Sequence, residues 1–521
     1  MLLSVQAVNL SPLFAYRRPV ISTTLQSSPT GELSAVERQH ANRWWVLAIV
    51  AAAQLMVILD ATVVNIALPE AQKALGFTDA ARQWVVTGYA LAFGGLLLLG
   101  GRLGDIFGRR NIFLLGLVGF GVFSALGGAA PNYAILVTAR AGQGVFGALL
   151  APATLALLTV TFTNPTERAK AFGIFGGLAG GGGAIGLILG GVLTDQLSWR
   201  YTLYVNLLIA VPVLFAGLRL LAKDRPTEAP GHDIFGTVAV TGGLFSLVYG
   251  FSNAQTNGWG DTWTMVWIAV GFVLIGVFGL IETRIAHPLL PLRVLADRNR
   301  SSSLISMLLA GAALFGVFLF LTYYMQTGLL YSPTKTGFAF LPMILGLGIT
   351  IQLGGALLTR VGARPLVPVG MLLAAAGMLL FTRLELDSSY LTAVMPGLFV
   401  TGLGLGLIFA PSIQGAISGL TNQDSTVGSA LVTTMQQIGG SIGIAVFSTL
   451  FASTASDYAA DHAAGASSPA AQAALAGKAA IEGYSTVYVW SAAIFLLGAV
   501  LAAVLLRNGT LETDSEQVLV H

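Results

Sequence analysis

The chain of 521 residues contains no cysteine, which excludes disulfides, thiol chemistry and cysteine-bound metal. Charge is scarce as well. Asp, Glu, Lys and Arg make up 9% of the residues, against about 25% in a typical soluble domain. Histidine is equally thin: His40 and His521 lie towards the ends, His232 and His287 in polar breaks, and His462 in an Ala-rich segment, so no metal-ligand spacing arises. No stretch is long and polar enough for an ATPase domain. The Gly-rich run "GIFGGLAGGGGAIGLILGGVL" has no following Lys-Ser/Thr and no strand before it, so it is not a phosphate loop. Neither cofactor nor metal, and neither nucleotide nor nucleic acid, is expected as a partner; the net charge of +3 sits in short loops rather than in a basic face. The opening "MLLSVQAVNLSPLFAYRR" lacks a basic region ahead of its apolar part, unlike a secretory signal.

What is present is apolar. Hydrophobic residues make up 55% of the chain, and apolar runs long enough to cross a hydrocarbon core of about 30 Å follow one another almost throughout. The expected class is an all-α polytopic membrane protein. Fourteen helices are predicted, at about 44–68, 83–101, 112–130, 133–161, 168–193, 201–221, 234–253, 263–282, 301–325, 337–359, 365–382, 390–417, 427–452 and 485–506. With the N-terminus inside, nineteen of the 26 Lys and Arg fall on the cytoplasmic side. That bias is the one membrane insertion imposes, and it places both termini in the cytoplasm.

An internal repeat organises the spans. "GRLGDIFGRRN" (101–111) joins spans 2 and 3, and "GALLTRVGARP" (355–365) joins spans 10 and 11, with Gly101 matching Gly355, Gly108 matching Gly362 and Arg110 matching Arg364. The expected organisation is a polar tail 1–43, a six-helix bundle 44–221, a linker 222–300 carrying two inserted helices, a second six-helix bundle 301–506, and a tail 507–521. Related halves around a central cavity are a transporter signature.

Two charges lie inside the spans. Asp60 interrupts "MVILDATVVNIALP" about 12 Å from the outer end of span 1, and Arg140 lies about 13 Å into span 4. A carboxylate in such a position costs at least about 2.5 kcal/mol on insertion scales, and pairing with Arg140 lowers the cost for both. The two helices can face one cavity. A movement that separates the pair would favour proton uptake by Asp60, which makes Asp60 a candidate proton carrier; a static ion pair that fixes helix packing is the alternative. In the loop 101–110, Gly101, Gly104 and Gly108 permit a tight turn. Asp105 complements the dipole of the next helix, and Arg102, Arg109 and Arg110 can pair with it or with lipid headgroups. The Gly-rich fifth span suits close packing against a neighbour. Tyr89, Phe93, Gln143, Phe146, Tyr323, Tyr324, Gln326, Gln414, Gln436 and Gln437 are candidate cavity residues, a set whose character fits an amphipathic small molecule.

These motifs resemble the major facilitator superfamily, and within it the fourteen-span drug:proton antiporter branch. "LDATVVNIALP" (59–69) is similar to the branch's first-span motif, "GRLGDIFGRRN" to the superfamily's loop 2–3 motif, and "RAGQGVFGALLAP" (140–152) to the fourth-span motif. "SWRYTLYVN" (198–206) resembles the start of the sixth span and "GSALVTTMQQIGGSIGIAV" (428–446) the thirteenth. The resemblance implies the major facilitator fold and alternating access driven by the proton gradient, with export of drugs, antibiotics or dyes across the cytoplasmic membrane. It also implies proton coupling or cation recognition for Asp60, with Arg140 as the buried coupling partner, and a conformational latch at Gly101, Arg102, Asp105, Gly108, Arg109 and Arg110. One departure stands out: the fifth-span motif usually has Gly-Pro before a later Gly-Gly, whereas here Gly186-Leu187 precedes Gly190-Gly191. A proton-linked carrier of one metabolite, in either direction, shares the fold; a channel fits the charged pair less well, and a membrane enzyme would need clustered acids or metal ligands. The outer segment 452–484 is Ala-rich, a composition that favours helix, and reads as a solvated spacer more readily than as a lid. Because spans 7 to 14 show no central acid, a dicationic substrate analogue is expected to bind no more tightly than its monocationic counterpart; competition binding with the matched pair checks this.

Overall fold

Apolar runs form helices here because in hydrocarbon every backbone N–H and C=O must be satisfied within its own segment. Polar residues start several of these helices. Thr78, Asn132, Asp233, Asp261, Asp297, Ser332 and Ser468 each accept a backbone N–H of the first turn through their side chains, satisfying donors that would otherwise be orphaned at a helix start. The computed structural model describes residues 42–162, 164–222, 233–285, 288, 290, 292–418, 420, 422–463 and 468–507. Nearly all of the expected tails 1–43 and 507–521 and the stretch 223–232 of the expected linker 222–300 lie outside them.

The helices are α1 (Arg43–Leu75), α2 (Asp79–Phe107), α3 (Arg109–Gly128), α4 (Tyr133–Thr161), α5 (Pro165–Gln196), α6 (Tyr201–Leu220), α7 (Ile234–Asn257) and α8 (Thr262–Glu282). They are followed by the short α9 (Leu292–Ala296), α10 (Arg298–Tyr323), α11 (Pro333–Ala339), α12 (Leu341–Val361), α13 (Ala363–Phe381), α14 (Met395–Ile417), α15 (Asn422–His462) and α16 (Pro469–Leu505). Among the described residues, eleven helical segments are long and apolar enough to cross a membrane, and α5 and α7 contribute shorter apolar stretches at Ile185–Gln196 and Phe235–Phe251. The order of long helices follows the order of predicted spans, with the tenth broken into α11 and α12.

Several boundaries differ from the sequence reading, three of them for a clear physical reason. First, α1 runs through Pro69 to Leu75, because one missing N–H close to a helix end is tolerated when neighbouring groups satisfy the freed carbonyl. Second, α10 ends in a π-helical turn at Tyr324–Gly328, a local widening that re-aims side chains. Third, α15 and α16 run well past the predicted span ends at 452 and 485, to His462 and back to Pro469, because Ala, the strongest helix former, fills the segment between them. At 41 and 37 residues, these helices measure about 60 and 55 Å, roughly twice a hydrocarbon core.

The first bundle, α1–α6, has its own core around Phe113, Phe120, Leu150 and Leu158; the second, α10–α16, is centred on Phe320, Met371, Phe447 and Phe495. The inserted α7 packs on the seam between α2 and α15: Leu244 and Val248 meet Leu91 and Ile438, and Thr241 Oγ1 donates to the Gly95 carbonyl at 3.1 Å. The repeat is visible in the backbone. Gly108 (φ 89°) separates α2 from α3, and Gly362 (φ 76°) separates α12 from α13, so both turns use the left-handed region that only glycine enters without strain. A Cβ on Gly100 would overlap the carbonyl of Ala148 on α4, whereas one on Gly104 meets nothing within 4 Å. Gly100→Ala is accordingly expected to destabilise by about 1–3 kcal/mol and Gly104→Ala to be nearly silent, as read by thermal unfolding in detergent.

Candidate functional site

Asp60 and Arg140 meet. Arg140 Nη1 donates to Asp60 Oδ2 at 2.5 Å, and the two side chains are essentially inaccessible, at 0% for Asp60 and 1% for Arg140. Three neutral residues complete the enclosure. Gln143, one turn beyond Arg140 on α4, donates to Asp60 Oδ1 at 2.8 Å and accepts from Arg140 Nη1 at 2.9 Å. Asn206 on α6 donates to the same Oδ1 at 2.7 Å. Ser124 on α3 accepts from both amides, at 2.7 Å from Gln143 and 3.2 Å from Asn206. Arg140 Nε binds the Val85 carbonyl of α2 at 3.1 Å, and its guanidinium lies 4.4 Å from the centre of the Tyr89 ring, a favourable cation–π distance. The carboxylate thus receives three donors, which offsets the desolvation a lone buried charge would suffer.

The network lies inside the first bundle, enclosed by α1, α2, α3, α4 and α6, rather than opening between the bundles. Depth alone cannot distinguish the two placements, because helix rotation is set by packing. Next to Arg140, between α1, α2, α4 and the start of α6, is a small cavity lined by Val64, Leu68, Trp199 and Thr202, with room for about one water-sized sphere.

The glycines of α5 serve the same region. A Cβ on Gly182 would press on Ile58, one on Gly186 would overlap Thr62, and one on Gly190 would come within 2.8 Å of Val63. The Gly-rich fifth span therefore lets α5 approach the part of α1 that carries Asp60. The departure at Gly186-Leu187 falls within this contact.

The two bundles touch at the end where α1 and α10 finish. Tyr323 Oη donates to Gln72 Oε1 at 2.6 Å, and Gln326 Nε2 to the Ile66 carbonyl at 3.0 Å. Gly191 of α5 lies against the backbone of Pro333, while Gly337 of α11 lies against that of Leu187. Arg82, which the charge count assigns to an outer loop, is instead 3% exposed. It sits in the first turn of α2 with its guanidinium 4.0 Å from the Tyr323 ring centre and 5.8 Å from those of Phe320 and Phe451. Nearer the membrane centre, Thr434 Oγ1 on α15 donates to the Gly94 carbonyl at 3.3 Å.

The structure divides the candidate cavity residues. Tyr89 and Phe93 stack on one another at 5.6 Å in the α2–α4 contact, with Gly144 and Gly147 making room for them. Phe146 stacks on Phe123 at 5.6 Å and fills the space beside Gly119 of α3, so it packs within the first bundle. Tyr324 is buried in the second bundle, its hydroxyl donating to the Glu385 carbonyl at 2.7 Å. Tyr323 and Gln326 join the bundles where α1 and α10 finish, and Gln143 belongs to the Asp60 network. Gln437 packs against Gly94 across the seam; Gln414 and Gln436 are half-buried, and the Gln436 backbone touches Gly311 of α10. The turn expected over 101–110 is confined to Gly108, since α2 continues as helix through Gly101 and Gly104 to Phe107; beyond it, Arg110 Nη2 donates to the Leu218 carbonyl of α6 at 3.0 Å and Asn111 Nδ2 to that of Phe107 at 2.9 Å. Gly101 is not sterically required, whereas its neighbour Gly100 is. The Asp105 side chain lies outside the described residues. Arg102 and Arg109 are half-buried, and both are engaged.

Ser124, Asn206 and Arg82 are the residues that reasoning from sequence misses. Uncharged polar residues are common in spans, so nothing singles out Ser124. Asn206 closes the "SWRYTLYVN" stretch, and its place in a quoted motif is the one signal that points to it.

Two repeated helical bundles, one with a buried ion pair and both meeting across a seam, define a secondary transporter. The family model described as "Major Facilitator Superfamily" matches residues 50–444, and the chain belongs to that superfamily of membrane transporters. It is 46% identical over 487 residues to the puromycin resistance protein pur8 of Streptomyces alboniger, covering 93% of this chain and 95% of that one. It is 34% identical to the tetracenomycin C resistance and export protein of Streptomyces glaucescens, covering 84% and 81%. Among solved structures, a bacterial homologue of the human lysosomal transporter Spinster, in an inward-facing and unoccupied conformation, superposes with a TM-score of 0.62 at 16% identity, covering 89% of this chain and 96% of that one; that likeness concerns the fold.

Arg140→Leu leaves a buried carboxylate without its cation and is expected to cost about 3–5 kcal/mol, whereas Asp60→Leu combined with Arg140→Leu costs less than Arg140→Leu alone. Thermal midpoints of the purified variants measure the difference.

Proposed function

We propose that this protein is a proton-coupled exporter of antibiotic-type or dye-type amphipathic molecules, working by alternating access across the cytoplasmic membrane. In this reading it has fourteen spans, both termini cytoplasmic, and no catalytic activity or cofactor; the proton gradient supplies the energy. The observation that carries it is the enclosed Asp60–Arg140 pair inside one bundle of a major facilitator fold. A buried carboxylate whose cation is a neighbouring side chain exchanges a proton only when the network opens, so proton binding is tied to helix movement. The relatives' names support antibiotics as the exported class. Two are named for one compound each, puromycin and tetracenomycin C, and a third is named as a multidrug resistance protein.

The parts take the following roles. Asp60 carries the proton, and Arg140 is its counter-charge and coupling partner. Tyr323, Gln326, Gln72 and Arg82, with the backbone contacts of α5 and α11, form the outer closure that must part before release. The 101–110 loop, anchored by Arg110 to the end of α6, acts as the inner latch with Asp105 and the other arginines. The bundles 44–221 and 301–506 rock against one another, and the 222–300 segment joins them with α7 and α8 resting on the seam. The substrate site lies between the bundles, where Gln414, Gln436 and Gln437 offer neutral polar contacts.

Transport of puromycin into everted proteoliposomes under an imposed pH gradient tests this. Wild type is expected to accumulate puromycin, and Asp60→Asn to lose about tenfold or more of the gradient-driven rate, a barrier change of about 1.4 kcal/mol or more. Full coupling in the variant would make Asp60 structural. No puromycin movement by wild type, with another antibiotic moved, would transfer the proposal to that compound.

A further inference from the structure

Asp60 in its charged state is surrounded by donors. Arg140 Nη1 takes Oδ2, while Gln143 Nε2 and Asn206 Nδ2 share Oδ1. Protonation turns one of these oxygens into a donor, and an O–H needs an acceptor. Arginine cannot accept. Gln143 Oε1 already takes Arg140 Nη1, and Ser124 Oγ already takes two amides. Within this network one acceptor stands unused: Asn206 Oδ1, buried and without a hydrogen-bond partner. A buried polar atom left unpaired in this way is costly and calls for a reason.

We propose that Asn206 reads the protonation state of Asp60: its amide donates to the carboxylate, and on protonation it turns over so that Oδ1 accepts the acid's O–H. This inference rests on the proton-coupling reading of Asp60. The orientation in the charged state is fixed by chemistry, since an ionised carboxylate only accepts. With the amide turned, Nδ2 becomes the unpaired group in place of Oδ1, so either state leaves one orphan. A fixed amide would instead set the new O–H against an N–H. The proton arrives from water on the side of higher proton activity and leaves on the other, and Arg140 keeps its charge throughout. Of the titratable and charged groups, Arg140 from α4 and Tyr89 from α2 face Asp60; α3 and α6 present the neutral Ser124 and Asn206, and α5 presents glycines to this part of α1. Asn206 is therefore a positioning residue that passes the charge of α1 to α6 as a change in hydrogen-bond direction.

Infrared titration of the purified full-length protein tests this without a substrate, following the carboxylic C=O band that disappears in Asp60→Asn. In Asn206→Leu the charged form loses a donor. The band's pH midpoint is expected to rise by about half to one pH unit, and its frequency to increase because the acid's O–H has lost its acceptor. Asn206→Asp sets a second carboxyl against Asp60 and is expected to raise the midpoint further, by more than about one pH unit. A midpoint and frequency equal to wild type in both variants overturns the Asn206 inference while leaving Asp60 as the proton carrier. A raised midpoint with unchanged frequency also overturns it, since that is the behaviour of a fixed donor. If wild type shows no titrating band that Asp60→Asn removes, the proton-coupling reading and this inference fall together.

Discussion

The ionic contact between Asp60 and Arg140 is the constraint around which the first bundle is arranged. Two full charges in a medium that solvates neither require compensation from the protein itself, and a single contact does not supply enough. Four other groups therefore contribute: Gln143 from the turn beside Arg140 on α4, Ser124 from α3, Asn206 from α6 and the Val85 carbonyl from α2. Each of these groups lies where its helix must pack in one rotation and one register, so the polar network specifies the bundle as much as the apolar core does. The same completeness limits accessibility, because nothing reaches the carboxylate until some helix moves.

Glycine is the second organising element, and it acts through distance. In lipid there is little hydrophobic gain in bringing helices together, so close backbone approach and dispersion do more of the work. Gly100 admits α4 against α2, Gly186 and Gly190 admit α1 against α5, and Gly311, Gly439 and Gly443 bring α10 and α15 into backbone contact. These contacts are concentrated within each bundle, while the polar and aromatic contacts of Arg82, Gln72, Tyr323 and Gln326 link one bundle to the other where α1 and α10 finish. Packing within a bundle thus rests on backbone approach, whereas the closure between bundles adds polar and aromatic side chains to two such glycine contacts, at Gly191 and Gly337.

Much of the fold is legible in the sequence, because span length and hydropathy are imposed by the bilayer and the repeated turn at Gly108 and Gly362 leaves matching residues in both halves. Asp60 and Arg140 are legible for a related reason: a charge inside an apolar run is rare enough to stand out, and similar depth makes contact between them plausible. Which way they face is not legible, since one residue's rotation on a helix depends on all its neighbours. The same limit explains Phe146, Tyr89 and Phe93, whose aromatic character fits a ligand cavity and a helix–helix contact equally well. Arg82 misleads because a cation at the end of a span is ordinarily solvated; its burial depends on Tyr323 arriving from a helix more than two hundred residues away. The Ala-rich segment after Phe451 contains no membrane signal, and its helicity comes from intrinsic propensity and from the ends it inherits from α15 and α16.

The reciprocal contact of Gly191 with Pro333 and Gly337 with Leu187 has a consequence for leakage. A barrier built from main chain on both sides has no side chain to rotate out of the way, so thermal rotamer hopping opens no transient water thread at that point. A carrier that spends a gradient must keep ions from slipping past it between turnovers, and a backbone-to-backbone seam does so without depending on the chemical identity of any side chain. Such a seam is also all-or-none: it is lost whole when the bundles part, and a single added methyl on either glycine would hold it ajar.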